Sequence, residues 1–234
     1  MHSDAYSILE ERPRAGSATG WTSSEVASRQ HRAFRPLLQD LHNGCPRKDF
    51  LALAYAINAA KERNPTIIEL GCGSGWNYEV LCALYAEPFS YTGLDCSPAM
   101  IEIARNTYSD PKFMIGDATA TDLPDRSCDI LISGTVLMHL RNYEKAIAES
   151  KRLARRWCIF HTVPILEHRK TTYLRKLAYG QETIEIIFNK QELERLLNES
   201  GLKIVLELPS IDYDLNFLLG ERTSTKTYLC AHNT

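Results

Sequence analysis

The chain has 234 residues, 44% of them hydrophobic, which is enough to bury one sizeable core, and it reads as a single domain over 1–234. A formal net charge of −2 leaves no basic excess, so a nucleic-acid backbone is not expected as a standing partner. No apolar run approaches the ~20 residues of a membrane helix and no leader-like segment opens the chain, so a soluble, cytoplasmic protein without membrane contact is expected. The seven cysteines are scattered, without paired C-x-x-C spacing, and read as reduced thiols packed as small apolar residues rather than as a zinc site or a disulfide framework.

In chain order, 1–20 mixes Gly, Ser, Pro and charge without periodicity and is expected to be a flexible tail or flap. The segment 21–64 reads as a helical cap. Thr22-x-x-Glu25 has the form of a capping box, opening a helix that ends or kinks near Pro36. A second helix over 49–61 carries Phe50, Leu53, Ala54 and Ile57 on one stripe and closes at Asn64-Pro65. The remainder, 65–234, reads as a core of alternating strands and helices, which argues for right-handed crossovers and a parallel sheet. Thr66-Ile67-Ile68-Glu69-Leu70 is a strand buried on both faces, and three alternate glycines, Gly71, Gly73 and Gly75, follow it at once. A helix over 77–86 comes next, then a strand ending at Asp95, and Ser97-Pro98 supplies an N-cap followed by proline at the first helical position. Further strands are predicted at 112–115, 129–132 and 157–162, with a helix over 141–155. The rhythm breaks over 163–188, which reads as an insertion over the cleft. Asn189-x-x-Glu192 offers a second capping box, with Phe188 and Leu193 as its staple and Gly201 as its stop, and 202–208 pairs with 225–231 as a closing antiparallel hairpin.

The glycine turn is shaped to hold a small molecule, because glycine permits positive φ and removes the Cβ that would keep backbone from ligand. A dinucleotide site wants G-x-G-x-x-G, whereas here Trp76 stands at the third glycine position. The spacing is G-x-G-x-G, preceded by Glu69, and Asp95 at the tip of the second strand can accept hydrogen bonds from both hydroxyls of a ribose. On these residues the chain resembles the class I S-adenosylmethionine-dependent methyltransferases. The resemblance implies a Rossmann-like doubly wound α/β fold with a seven-stranded, mostly parallel sheet and a C-terminal hairpin. It implies S-adenosylmethionine as cofactor and S-adenosylhomocysteine as product. Gly71, Cys72, Gly73 and Gly75 then lie under the methionine part with Glu69 below, Asp95 holds the ribose, and Cys96 and Met100 lie against the adenine. Asp117 takes the adenine amino group with the Ala118 amide beside it, Ser133 lines the methionine end, and Gln30 or Trp21 closes the site from the entrance helix.

The stretch Ser133-Gly134-Thr135-Val136 stands where branches methylating amide or exocyclic nitrogens carry an Asn/Asp-Pro-Pro-Tyr/Phe motif, which disfavours that reading. No Pro-Cys nucleophile is present there, and no carboxylate cluster for a metal can be assigned. The expected chemistry is direct SN2 transfer to oxygen or nitrogen of a small molecule, with a protein or RNA acceptor and a non-catalytic cofactor-binding module as alternatives. His139, after the fourth strand, and His161, at the end of the fifth, are the candidate catalytic residues, since ligands bind at the carboxyl ends of such strands. A monomer or homodimer is expected, without a bound metal.

Overall fold

The computed structural model describes residues 6–13 and 20–233. The strand Thr66–Leu70 (β2) is buried along nearly its whole length, and parallel neighbours cover both of its edges. On one side lie Ser90–Asp95 (β3) and then Lys112–Ile115 (β4); on the other, Cys128–Gly134 (β5) and then Ala154–Leu166 (β6). Beyond β6, Ser224–His232 (β10) and Leu202–Pro209 (β9) add antiparallel strands, as the predicted closing hairpin requires. These seven strands form the core sheet expected of the Rossmann-like class.

Helices cover both faces because each carries one apolar stripe. Lys48–Ala60 (α2), Trp76–Leu84 (α3) and Pro98–Thr107 (α4) pack on one face around Leu53, Ile57, Leu81 and Ile101. Tyr143–Leu153 (α5) and Lys190–Glu199 (α6) cover the other, around Ile147, Leu153, Leu193 and Leu197. Ser97 Oγ accepts from Met100 N at 3.4 Å and Asn189 Oδ1 from Glu192 N at 3.0 Å, so both predicted caps form. Glu192 does not return the second bond of a capping box; its Oε2 instead accepts from Thr171 N and Oγ1 at 3.1 and 2.6 Å.

Four expectations are corrected. The entrance helix Ser24–His42 (α1) is capped at Ser23 rather than Thr22, without a side-chain cap bond, after a 3-10 turn at Gly20–Thr22. It also runs through Pro36, held by Leu38 and Leu41 against Phe50, Trp76 and Val80. The segment 163–188 is not an irregular insertion. β6 continues past the end of β5, and Thr172–Ala178 (β7) and Gln181–Asn189 (β8) form a hairpin whose second strand pairs in parallel with the tip of β6. Its two-residue turn, Tyr179-Gly180, has φ of 52° and 83°, the double positive φ that fits a hairpin's twist. Part of the expected tail is a strand: Tyr6–Leu9 (β1) pairs antiparallel with β7, which brings the sheet to ten strands among the described residues. The rest of the expected tail, 1–5 and 14–19, lies outside the described residues. Among the described residues, no helix is long and apolar enough to cross a membrane.

Candidate active site

The glycine turn is tied to the end of β3. Gly71 N and Cys72 N both donate to Leu94 O, at 2.7 and 3.0 Å. Gly73 N donates to Asp95 Oδ2 and Ser97 N to Asp95 Oδ1, each at 2.9 Å. Burial raises the Asp95 pKa, and these two backbone bonds oppose the rise. Gly73 has φ of 54°, and a Cβ there would stand 2.4 Å from the Trp76 ring. The same indole is stacked on Phe34 of α1 with ring centroids 4.0 Å apart, so Trp76 fixes the turn to the entrance helix.

Above the turn, at the carboxyl ends of β2, β3 and β5 and beside the middle of β6, where His161 lies inside the strand rather than at its end, opens a mostly apolar cavity of about 660 Å³. Of the residues singled out from the sequence, Trp21, Gln30, Gly71, Gly73, Asp95, Cys96, Met100, His139 and His161 border it. The others lie behind its wall or beside it. Glu69 is fully buried beneath Gly134, accepts from Asn77 Nδ2 at 2.6 Å and from the Tyr91 hydroxyl, and its pKa is pushed up by burial to about 7. Cys72 packs against Gly93, and Gly75 caps α3 against Phe113 and Tyr108. Ser133 is buried within β5, and Ala118 is buried in the loop after β4. Asp117 is exposed, and its Oδ1 accepts from Thr119 N and Oγ1, both at 2.8 Å.

Among the described residues, three buried polar atoms of the cavity wall have no hydrogen-bond partner; Glu185 Oε2 has the Lys176 ammonium as an ion pair, whereas Trp21 Nε1 and Gln30 Oε1 have no partner. A buried donor and a buried acceptor left unpaired are costly in a folded chain, and a bound polar molecule removes that cost. A ligand with ribose hydroxyls and an amino-acid end, such as S-adenosylmethionine, offers groups of the right kind to Asp95, to the turn and to these two atoms.

The two histidines differ. His139 Nδ1 lies 2.8 Å from Ile184 O, and a carbonyl can only accept, so the ring carries its proton on Nδ1 and Nε2 keeps a lone pair. Burial lowers its pKa, and the Trp21 ring lies against it with centroids 4.7 Å apart. His161 is committed on both nitrogens, Nδ1 to Thr227 Oγ1 at 3.0 Å and Nε2 to Thr162 Oγ1 at 3.2 Å, and burial pulls its pKa down to about 4.

The far end of the cavity was not anticipated from the sequence. Lys176 of β7 and Glu185 of β8 are diagonal neighbours on one face of the hairpin, with Nζ 2.9 Å from Oε2. Tyr6 sits directly opposite Lys176 in the β1–β7 register; its hydroxyl is 3.1 Å from that of Tyr213, which in turn donates to Glu185 Oε1. Nearby, Arg47 grips Asp49 through two bonds of 2.7 and 2.6 Å. Two β-branched residues on the wall, Thr135 and Thr162, hold φ of 59° and 54°, a conformation that such residues rarely adopt and that concentrates at functional sites. A signal for Glu185 was present in Ile184-Glu185-Ile186-Ile187-Phe188, an apolar strand interrupted by one acid.

A family described as "Methyltransferase domain" matches residues 68–160, the span from β2 into β6. A malonyl-[acyl-carrier protein] O-methyltransferase of Paenibacillus is 26% identical over 185 residues, covering 71% of this chain and 67% of that protein. A demethylmenaquinone methyltransferase of Thermotoga maritima is 31% identical over 113 residues, covering 47% of this chain and 45% of its own length. Among solved structures, a 1,6-didemethyltoxoflavin-N1-methyltransferase of Burkholderia thailandensis, with that compound and S-adenosylhomocysteine bound, superposes with a TM-score of 0.63 at 15% identity, over 98% of this chain and 95% of the other. At that identity the likeness is one of fold. Taken with the domain matched over 68–160 and the curated methyltransferases, it supports the class I S-adenosylmethionine-dependent methyltransferase superfamily, with S-adenosylmethionine as methyl donor.

Proposed function

We propose that the chain transfers a methyl group by SN2 displacement to an oxygen or nitrogen atom of a small-molecule acceptor held in the 660 Å³ cavity. The observation that carries this reading is that one cavity brings together the glycine turn, Asp95, the unpaired Trp21 Nε1 and Gln30 Oε1, and a histidine with a free lone pair. When bound, S-adenosylmethionine supplies an electrophilic methyl group, so the protein's work is to position and to keep water out. Gly71 and Gly73 support the methionine part, Asp95 receives the ribose hydroxyls, Cys96 and Met100 flank the adenine, and Trp21 and Gln30 close over the amino-acid end. Asp117 can serve the adenine amino group through Oδ2, since Oδ1 is engaged by Thr119.

His139 is the proton acceptor of this reading. Its tautomer is set by Ile184 O, and its lowered pKa keeps Nε2 unprotonated at neutral pH. An acceptor hydroxyl or amine gives its proton to Nε2 as its new bond to carbon forms. His161, with both nitrogens occupied, acts as a structural member of the wall. Names among the similar proteins support both kinds of atom, oxygen in the malonyl-[acyl-carrier protein] enzyme, whose acceptor is borne on a protein, and nitrogen of a small molecule in the didemethyltoxoflavin enzyme.

The test is methyl transfer from labelled S-adenosylmethionine to a panel of small alcohols, phenols and amines. Activity on at least one member is expected, and His139→Gln should lower kcat by roughly 10²–10⁴-fold while leaving cofactor affinity unchanged. The acid limb of the wild-type profile should lie below the ordinary imidazole value, because activity is lost only as Nε2 takes a proton. A His139→Gln enzyme as fast as the wild type at every pH removes the histidine from the mechanism.

A further inference from the structure

Among the described residues, the charged side chains bordering the cavity besides the two histidines are Arg47, Asp49, Asp95, Lys176 and Glu185. Four of the five cancel in pairs. Arg47 holds Asp49 through two hydrogen bonds of 2.7 and 2.6 Å, and Lys176 Nζ lies 2.9 Å from Glu185 Oε2. Both acids are buried, Asp49 at 4% exposure and Glu185 at 0%, so neither can swing out to greet a charged visitor. The Glu185 carboxylate is further engaged by Tyr213, and the Lys176 ammonium lies over the rings of Tyr6 and Tyr213, 5.3 and 5.5 Å from their centroids. The one carboxylate without a cationic partner is Asp95, at the cofactor end. A bound S-adenosylmethionine carries a net single positive charge from its sulfonium, ammonium and carboxylate, which matches it.

With the donor in place, the cavity is therefore neutral before any acceptor enters. An anionic or cationic acceptor would bring an uncompensated charge against mostly apolar walls, where charge is poorly screened and desolvation is unfavourable. An uncharged acceptor meets no such penalty. It also finds a donor, because an ammonium has three protons and Glu185 accounts for one of them.

From this balance we infer that the acceptor is an uncharged small molecule, held at the end of the cavity formed by β1, β7 and β8 with a carbonyl or hydroxyl oxygen on Lys176. This inference rests on the reading that S-adenosylmethionine fills the glycine-turn end. Transfer to a neutral hydroxyl or amine then breaks the donor's S–CH3 bond, forms O–CH3 or N–CH3, and releases one proton from the acceptor, which His139 Nε2 takes up.

The experiment separates the two readings. Calorimetry with S-adenosylhomocysteine on the wild type, Lys176→Met, Glu185→Gln and the double variant Lys176→Met/Glu185→Gln reports folding and the cofactor end. No binding by the wild type would sink the cofactor reading. The same proteins, loaded with sinefungin so that an ammonium stands in for the sulfonium, are then titrated with phenol, benzoate and benzylammonium by ligand-observed NMR. The wild type should prefer phenol over either ion by about tenfold or more. Glu185→Gln, which leaves Lys176 unpaired, should shift the preference toward benzoate by about the same factor, and Lys176→Met should shift it toward benzylammonium. The double variant should return to phenol, and it remains informative where a single variant fails to bind cofactor. An ion that binds the wild type as well as phenol does, no binding by any of the three probes, or a double variant that favours an ion would overturn the inference.

Discussion

The two ends of the cavity are built in different ways. The cofactor end is made by backbone: three glycines with positive φ, amides pinned to Leu94 O and Asp95, and strand ends set by the parallel register of β2, β3 and β5. The far end is made by side chains from distant parts of the chain, Tyr6, Lys176, Glu185 and Tyr213, joined by hydrogen bonds and an ion pair. Backbone construction needs a short stretch of sequence and serves a constant ligand. Side-chain construction can be changed one residue at a time and serves a ligand that differs from enzyme to enzyme.

The sharpest way to break this contrast is to remove one partner of the buried pair. Glu185→Gln or Lys176→Met should cost about 3–5 kcal/mol in chemical denaturation, since each leaves a charge without its partner, whereas the double variant should lie close to the wild type. S-adenosylhomocysteine affinity should be unchanged in the double variant. If the double variant loses cofactor affinity as well, the two ends are not separable.

A somewhat smaller effect is expected from His161, which borders the cavity. Its pKa of about 4 in the folded protein lies below the ordinary 6.5. The stability it contributes is therefore complete above pH ~6.5 and is lost as pH falls toward 4, about 3 kcal/mol in all. Denaturation curves between pH 7 and 4 should show this loss in the wild type and a flatter profile in His161→Asn. A wild-type profile that is flat over that interval would mean that the imidazole titrates normally.

The same contrast explains what could be read from the sequence. The strand-turn-helix at 66–84, the Ser97 and Asn189 caps and the closing hairpin were legible because each is a local pattern with a local cause. The nine-residue strand Gln181–Asn189 is not legible as half of a hairpin, because Tyr179-Gly180 is an uncommon pair for a double positive-φ turn and the charges of β7 obscure its alternation. Thr22 fits the cap by its spacing to Glu25, yet Ser23 holds that position, a one-residue choice that composition alone does not decide. Nothing near Tyr6 in sequence announces a partner at Tyr213, since that contact exists only once β1 has paired with β7. Of the residues proposed for the cofactor, those after β2 and β3, with Trp21 and Gln30, meet at the cavity, while Asp117 and Ala118 after β4 lie beside it. Glu69, Cys72, Gly75 and Ser133 instead shape it from behind.

The central claim is that Asp95 and the glycine turn hold the methyl donor. Calorimetric titration of S-adenosylhomocysteine into the wild type and Asp95→Asn tests it most directly, with thermal denaturation as a check on folding. The account predicts a single site of micromolar affinity, weakened about tenfold to a hundredfold by Asp95→Asn, the loss expected for hydrogen bonds to a charged group. Equal affinity in a folded Asp95→Asn protein would contradict it.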